Sequence, residues 1–250
     1  MNQLRWVPSL IREYLVPAGC ALCGNPFLNG EEAWYGLCWD CMKCLTITED
    51  QSRCASCGRP LIAEIDRCLQ CRDQESLHKE ELYVNQVVAL FPYSGNYRKL
   101  LVSYKFGRYQ ALGNFLAESL IAGLTLFTAP PLHNPVLVPV PPRQGKIKKT
   151  GWDQIDYLGS LLTKAYRKTR SPYLPVYRCL KRLPSKSQKA LNQEDRRTNL
   201  LGRIRYTRPV PPELILFDDV ITTGSTLYAC AAALKAGGAQ KVYGICLFYS

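Results

Sequence analysis

No stretch of this 250-residue chain stays apolar over the ~20 residues that a bilayer core requires, so no membrane span is expected. The nearest approach, SLIAGLTLFTAPPL (Ser119 to Leu132), is short and ends in prolines. The opening residues MNQLRWVPSLIREYLVP lack the pattern of a cleavable signal, because charges and a proline interrupt their apolar positions. Leu4, Val7, Leu10, Ile11 and Leu15 suit a short docking helix, and residues 1–17 are expected to form an N-terminal helical segment. A cytoplasmic location is the corresponding expectation. Internal repeats are lacking too, apart from a recurring Cys-x-x-Cys pair. With 47% apolar and 21% charged residues, the composition excludes a long disordered chain. The length leaves room for one sizeable core and a small accessory module.

Acidic residues are scarce in one place. Between Arg143 and Arg208 the chain has 18 Lys and Arg against 4 Asp and Glu, a balance of +14 within a total of +12. The rest of the chain therefore carries −2, and the basic segment calls for an anionic partner such as phosphate or nucleic acid. Lys146, Lys148, Lys149, Lys181, Arg182 and Lys186 are its candidate nucleic-acid contacts. Tyr157, Tyr166, Tyr173 and Tyr177 interleave with these charges, either to stack on bases or to pack inside the fold.

Cysteine is concentrated just as unevenly, with nine of twelve between Cys20 and Cys71. Eight form four Cys-x-x-Cys pairs: Cys20/Cys23, Cys38/Cys41, Cys54/Cys57 and Cys68/Cys71. Two intervening residues let both thiolates face one ion across a tight turn, and two such knuckles complete a tetrahedral four-cysteine zinc shell. Glycine follows the second cysteine in CALCG and CASCG, as a sharp knuckle turn requires. Disulfides would need an oxidising compartment, to which nothing in the sequence directs the chain. Residues 18–74 are thus expected to form a structural zinc-binding module. Three arrangements remain open: sequential pairing, crossed pairing, or metal at only four of the eight. Cys44 is left over.

Beyond a polar linker, residues 85–250 alternate strands and helices, which argues for an α/β domain with a parallel sheet flanked by helices. Strands are expected at Gln86 to Tyr93, in PVLVPVPP, near Tyr173 to Cys179, in ELILFDD and in KVYGICLFY. Helical spacing runs through YSGNYRKLLVSYKFGRYQALGNFLAESLIAGL with a break around Gly107. It recurs in GWDQIDYLGSLLTKAYRKT, where Ile155, Leu158, Leu161 and Leu162 share a face and Asp153 supports the N-terminus. STLYACAAALKAGG is the last helix.

The stretch DDVITTGST then stands where ligands of such sheets collect, at the carboxyl end of a strand. Thr222, Thr223, Ser225 and Thr226 offer hydroxyl donors, Gly224 allows close backbone approach, and the following helix presents unpaired N–H groups. Such a loop suits a phosphate. Asp218 and Asp219 would repel that phosphate unless they hold another part of the same ligand, and adjacent acceptors suit ribose hydroxyls.

This stretch resembles the binding loop of type I phosphoribosyltransferases for phosphoribosyl pyrophosphate (PRPP). The resemblance implies that Asp218 and Asp219 are the catalytic pair that holds the ribose hydroxyls, and that Thr222 to Thr226 cradle the 5-phosphate with magnesium present. The order of a zinc finger, YSGNYRKLLVSYKF, VPVPP, GWDQ, SQKALNQEDRRTNL and the PRPP loop is similar to the ComF family, including its GntX-like members. That family is tied to competence and DNA uptake, which implies single-stranded DNA and other DNA-uptake or recombination proteins as partners. It puts Lys105 in a recurrent KF element among the pyrophosphate candidates, and Arg143, Lys146, Lys148, Lys149 and Gly151 in or beside a pyrophosphate loop. Ser187, Gln188, Leu191, Arg196, Arg197 and Asn199 become a flexible basic segment over the ligand. Where the family reads GFNQ this chain has GWDQ, which adds the Asp153 carboxylate beside the expected pyrophosphate loop.

Three readings stay open at this level. One is a PRPP-binding protein of DNA uptake or processing, and another a phosphoribosyltransferase with an unidentified nitrogen acceptor. The third is an interaction platform without catalysis.

Overall fold

The computed structural model describes residues 19–47, 52–69, 71–72, 83–107, 109–127, 136–143, 151–169, 175–184, 200 and 202–250. The expected helical segment at 1–17 and most of the expected linker lie outside these residues.

The run Leu214–Phe217 is buried on both faces of a sheet, which is why it reads as continuously apolar. It belongs to β5 (Glu213–Ile221), next to β6 (Lys241–Tyr249) on one side and β2 (Val136–Pro139) on the other. With β1 (Gln86–Pro92) at the far edge, the order is β1-β6-β5-β2 and every pairing is parallel. Parallel neighbours need crossovers, and the expected helices supply them. Two short helices, α1 (Gly30–Tyr35) and α2 (Trp39–Lys43), precede the sheet. The long helical pattern does break at Gly107, giving α3 (Gly95–Lys105) and α4 (Leu112–Gly123). These helices and α5 (Gln154–Thr169) bury Leu100, Tyr104, Leu116, Leu120, Leu158 and Leu162 against one sheet face. Helix α6 (Ser225–Ala236) covers the other face with Leu227, Cys230 and Leu234.

Two expectations change in detail. The strand anticipated near Tyr173 to Cys179 is a single bridge, Val176 to Leu137, extending the sheet beyond β2. Pro175 has no N–H for a longer ladder, although its carbonyl accepts from Leu137 N–H at 2.9 Å. The strand instead forms further on: β3 (Leu180–Arg182) pairs antiparallel with β4 (Ile204–Tyr206). Also, β5 does not end at the aspartates but continues to Ile221, while β2 stops at Pro139 opposite Phe217. The two carboxylates therefore stand where one neighbouring strand has already ended. Among the described residues, no helix is long and apolar enough to cross a membrane.

Candidate ligand cleft and metal centres

The cysteine pairs close in sequence order. Cys20, Cys23, Cys38 and Cys41 form one group and Cys54, Cys57, Cys68 and Cys71 another, with all ligand atoms of each within 4.8 Å of one another. Cys23 Sγ and Cys38 Sγ are 3.7 Å apart, and Cys57 Sγ and Cys68 Sγ 3.8 Å. A tetrahedron with Zn–S bonds of about 2.3 Å has S–S edges of about 3.8 Å, so both groups could hold zinc in closed structural sites. Burial raises the Cys20 thiol, yet N–H groups of Cys23, Cys38 and Leu22 outweigh it and bring it down to about 7. Hydrogen bonds from the Cys57 and Cys71 thiols hold Cys54 far below the ordinary thiol range. Cys44 is exposed and belongs to neither group.

The two groups sit against opposite faces of the sheet. Cys20 and Cys38 pack into the core shared with α3, α4 and α5, where Asn114 Nδ2 donates to Trp34 O at 2.8 Å and Tyr109 donates to the Gly19 carbonyl. Cys54, Cys57 and Cys68 pack with α6 on the other face. Their segment also closes the open edge of β1, since Ala89 N–H donates to Gly58 O at 3.3 Å and Arg53 Nη1 donates to Ala89 O at 2.6 Å. Arg59 lies over the Tyr249 ring and donates to Ser250 O at 2.6 Å, while Ser250 N–H donates to Ile221 O.

Ile221 opens the loop of interest. Asp218, residues 220–227 and Cys246 line a small open cleft at the start of α6. Gly224 adopts φ 72° immediately before the helix, a left-handed turn that favours glycine, and Thr223 Oγ1 lies 2.7 Å from Ser225 Oγ. The first turn of α6 thus directs its N–H groups and hydroxyls into a concave, donor-rich surface of the kind that binds anions.

Strand alternation separates the two aspartates. Asp218 is on the α6 side, within electrostatic reach of Arg182 and Cys230. Asp219 is 7% exposed and faces the other helices, where Lys105 Nζ is 2.7 Å and Gln154 Nε2 3.0 Å from its Oδ2. The backbone joins the pair, because Asp219 N–H donates to Asp218 Oδ1 at 2.8 Å. Burial lowers the Arg182 pKa and its neighbour Arg143 adds to the effect, so a guanidinium group, with a second beside it, lies within electrostatic reach of Asp218. Burial pushes the Cys246 thiol well up, with Asp218 and Asp219 adding to it, and it stays protonated as a cleft wall.

Asp153 caps a helix, while residues 144–150 of the expected pyrophosphate loop lie outside the described residues. Asp153 Oδ1 accepts from Ile155 N–H at 3.0 Å and Asp156 N–H at 3.3 Å, capping α5 as its position before the helical pattern suggests.

No family model matches the chain. It is similar to the DNA utilization protein YhgH of Escherichia coli K12, 27% identical over 244 residues that span 93% of this chain and 97% of that protein. The O157:H7 counterpart matches over the same extent. Competence protein ComFC of Bacillus subtilis is 24% identical over 243 residues, 92% of this chain and 95% of that protein. These relatives support the ComF family.

The sequence-level candidates divide. Lys105, Arg143, Arg182, Asp218, Asp219 and Thr222 to Thr226 come together around the end of β5, whereas Lys181 is exposed on β3. Lys146, Lys148, Lys149, Lys186, Gln188, Arg196 and Arg197 lie outside the described residues. Gln154 and Cys246 gain site positions that sequence reasoning did not single out. Gln154 carried a signal as the last residue of GWDQ, while Cys246 is identified only by its register opposite Asp218.

Proposed function

We propose that this protein binds PRPP with magnesium and serves the handling of external DNA. One observation carries the reading. An acidic strand end, a glycine turn with φ 72° and four hydroxyl residues at a helix start converge on one cleft. The loop's N–H and O–H groups suit the 5-phosphate, and the carboxylates at the end of β5 suit the ribose hydroxyls. The donor set fits a sugar phosphate accompanied by a hard, oxygen-seeking cation, with Asp218 the nearest protein carboxylate. Magnesium on the ligand would supply charge neutralisation of its pyrophosphate. The DNA side of the proposal draws on the names of the relatives and on the +14 segment.

The protein's own part is to bind, orient and exclude. Loop donors fix the phosphate, Asp218 fixes the ring with Asp219 behind it, and Arg182 attracts the remaining anionic group. Structural zinc at the two cysteine groups completes the proposed cofactor set.

Calorimetric titration of PRPP with magnesium tests the reading, against a protein carrying Asp218→Ala and Asp219→Ala. Saturable binding to the wild type that disappears in the double variant is the expected result. A folded, zinc-loaded wild type that takes up no PRPP refutes it. If the same basic loops serve both ligands, PRPP should compete with single-stranded DNA, whose affinity should fall steeply between 50 and 200 mM salt, by roughly 300-fold for six phosphate contacts. Pyrophosphate release in a screen of nitrogen nucleophiles would extend the proposal from binding to transfer.

A further inference from the structure

Two motifs far apart in the sequence, Tyr104–Phe106 and Gly151–Gln154, end on the same atom. Lys105 closes α3, Gln154 opens α5, and both reach Oδ2 of Asp219 in β5, at 2.7 and 3.0 Å. The assembly is built rather than incidental. Gln154 is 1% exposed, its carbonyl accepts from Tyr104 Oη at 2.8 Å, and Trp152 packs edge-on against the Tyr104 ring with centroids 5.2 Å apart. Asp219 in turn donates its N–H to Asp218 Oδ1, so the order of contacts runs from Lys105 through Asp219 to the carboxylate inside the cleft.

We propose that Lys105 and Gln154 are positioning residues, which fix Asp219 and through it Asp218 for the ribose 5-phosphate half of the ligand, and that Lys105 does not act on the pyrophosphate. This inference rests on the PRPP reading and assigns a role within that site. Burying a carboxylate to 7% exposure is costly unless a counter-charge and hydrogen bonds accompany it, and Lys105 is the cation in contact with Asp219. Moving Lys105 onto a pyrophosphate would leave Asp219 Oδ2 with one neutral donor, the Gln154 amide. The lysine is also poorly placed to reach out, since its side chain is 18% exposed and already spans from the end of α3 to β5. Arg182, within electrostatic reach of Asp218 and with Arg143 beside it, is a described cation suited to a second anionic group.

The test uses two ligands that share one half. Ribose 5-phosphate and PRPP, each with magnesium, are titrated calorimetrically into wild type, Lys105→Gln, Lys105→Arg and Gln154→Leu, with folding checked by circular dichroism. Lys105→Gln should weaken both ligands by the same factor, roughly 10- to 100-fold, and Lys105→Arg should recover part of the loss. Gln154→Leu should weaken both equally by a smaller factor, which keeps the proposal testable if Lys105→Gln does not fold. In an Asp219→Asn background, Lys105→Gln should cause no additional loss, an outcome that a merely structural role does not produce. A loss confined to PRPP, or an additive loss in that background, overturns the proposal. Wild type that binds both ligands while the Lys105 and Gln154 variants bind as well overturns the positioning role alone. Wild type that binds neither overturns the PRPP reading and this inference with it.

Discussion

At Asp153 a carboxylate performs a task that an amide oxygen performs equally well, since only acceptance from Ile155 and Asp156 N–H groups is required. Asp153→Asn should therefore leave stability within about 0.5 kcal/mol of wild type, whereas Asp153→Ala should cost about 1 kcal/mol, both read from urea denaturation midpoints. Glu32 is the opposite case, where charge matters. It is 1% exposed and accepts from Trp39 N–H at 2.9 Å and Leu28 N–H at 2.6 Å, and these bonds, Trp39 first, hold its carboxyl below the ordinary range. A lowered folded pKa means that the ionised form favours the folded state. Its contribution is full above the ordinary glutamate pKa of about 4.3 and disappears as pH falls through the folded value. Glu32→Gln should lower stability at neutral pH and flatten the decline in acid, as thermal midpoints across pH 3 to 7 would show.

Elements explain why two knuckles with the same sequence pattern tolerate change differently. Gly24 and Gly58 each follow the second cysteine of a pair and each has positive φ, 79° and 73°. A Cβ at Gly24 meets nothing within 4 Å, but at Gly58 it falls 2.5 Å from Val87 O and 2.8 Å from Ala89 N. The second knuckle lies directly on β1, whose free edge it pairs. Gly24→Ala should thus cost about 1 kcal/mol of backbone strain, and Gly58→Ala about 2–4 kcal/mol because overpacking adds to strain. Calorimetric melting of the two variants gives the comparison. The knuckle turns themselves were legible from CALCG and CASCG, but the sheet edge beneath one of them was not. That edge is created by strand order, a long-range property to which local spacing is blind.

The whole molecule carries its two cysteine groups on opposite faces of one sheet, each merged with a separate part of the core. Atomic spectroscopy should find two zinc ions per chain, and strong chelation should lower the thermal midpoint and promote association through the uncovered edge of β1. A stoichiometry of one, or a midpoint unchanged by chelation, would count against two structural sites. The basic segment remains the molecule's main electrostatic asymmetry, and of its pyrophosphate-loop candidates the described residues include Arg143 and Gly151.

Local pattern was sufficient for much of this protein. Burial on both faces makes ELILFDD and KVYGICLFY read as continuous strands, helical spacing marks α5 by Ile155, Leu158, Leu161 and Leu162, and Cys-x-x-Cys spacing marks the metal knuckles. Each signal arises within a few residues, so the sequence alone determined it. Tertiary structure decided which knuckles share a site, which face each site covers, and that Lys105, Gln154 and Asp219 meet at one oxygen atom. Those outcomes depend on crossover connections and strand order, which bring Asp219 to partners 65 or more positions away, and no local periodicity encodes such an encounter.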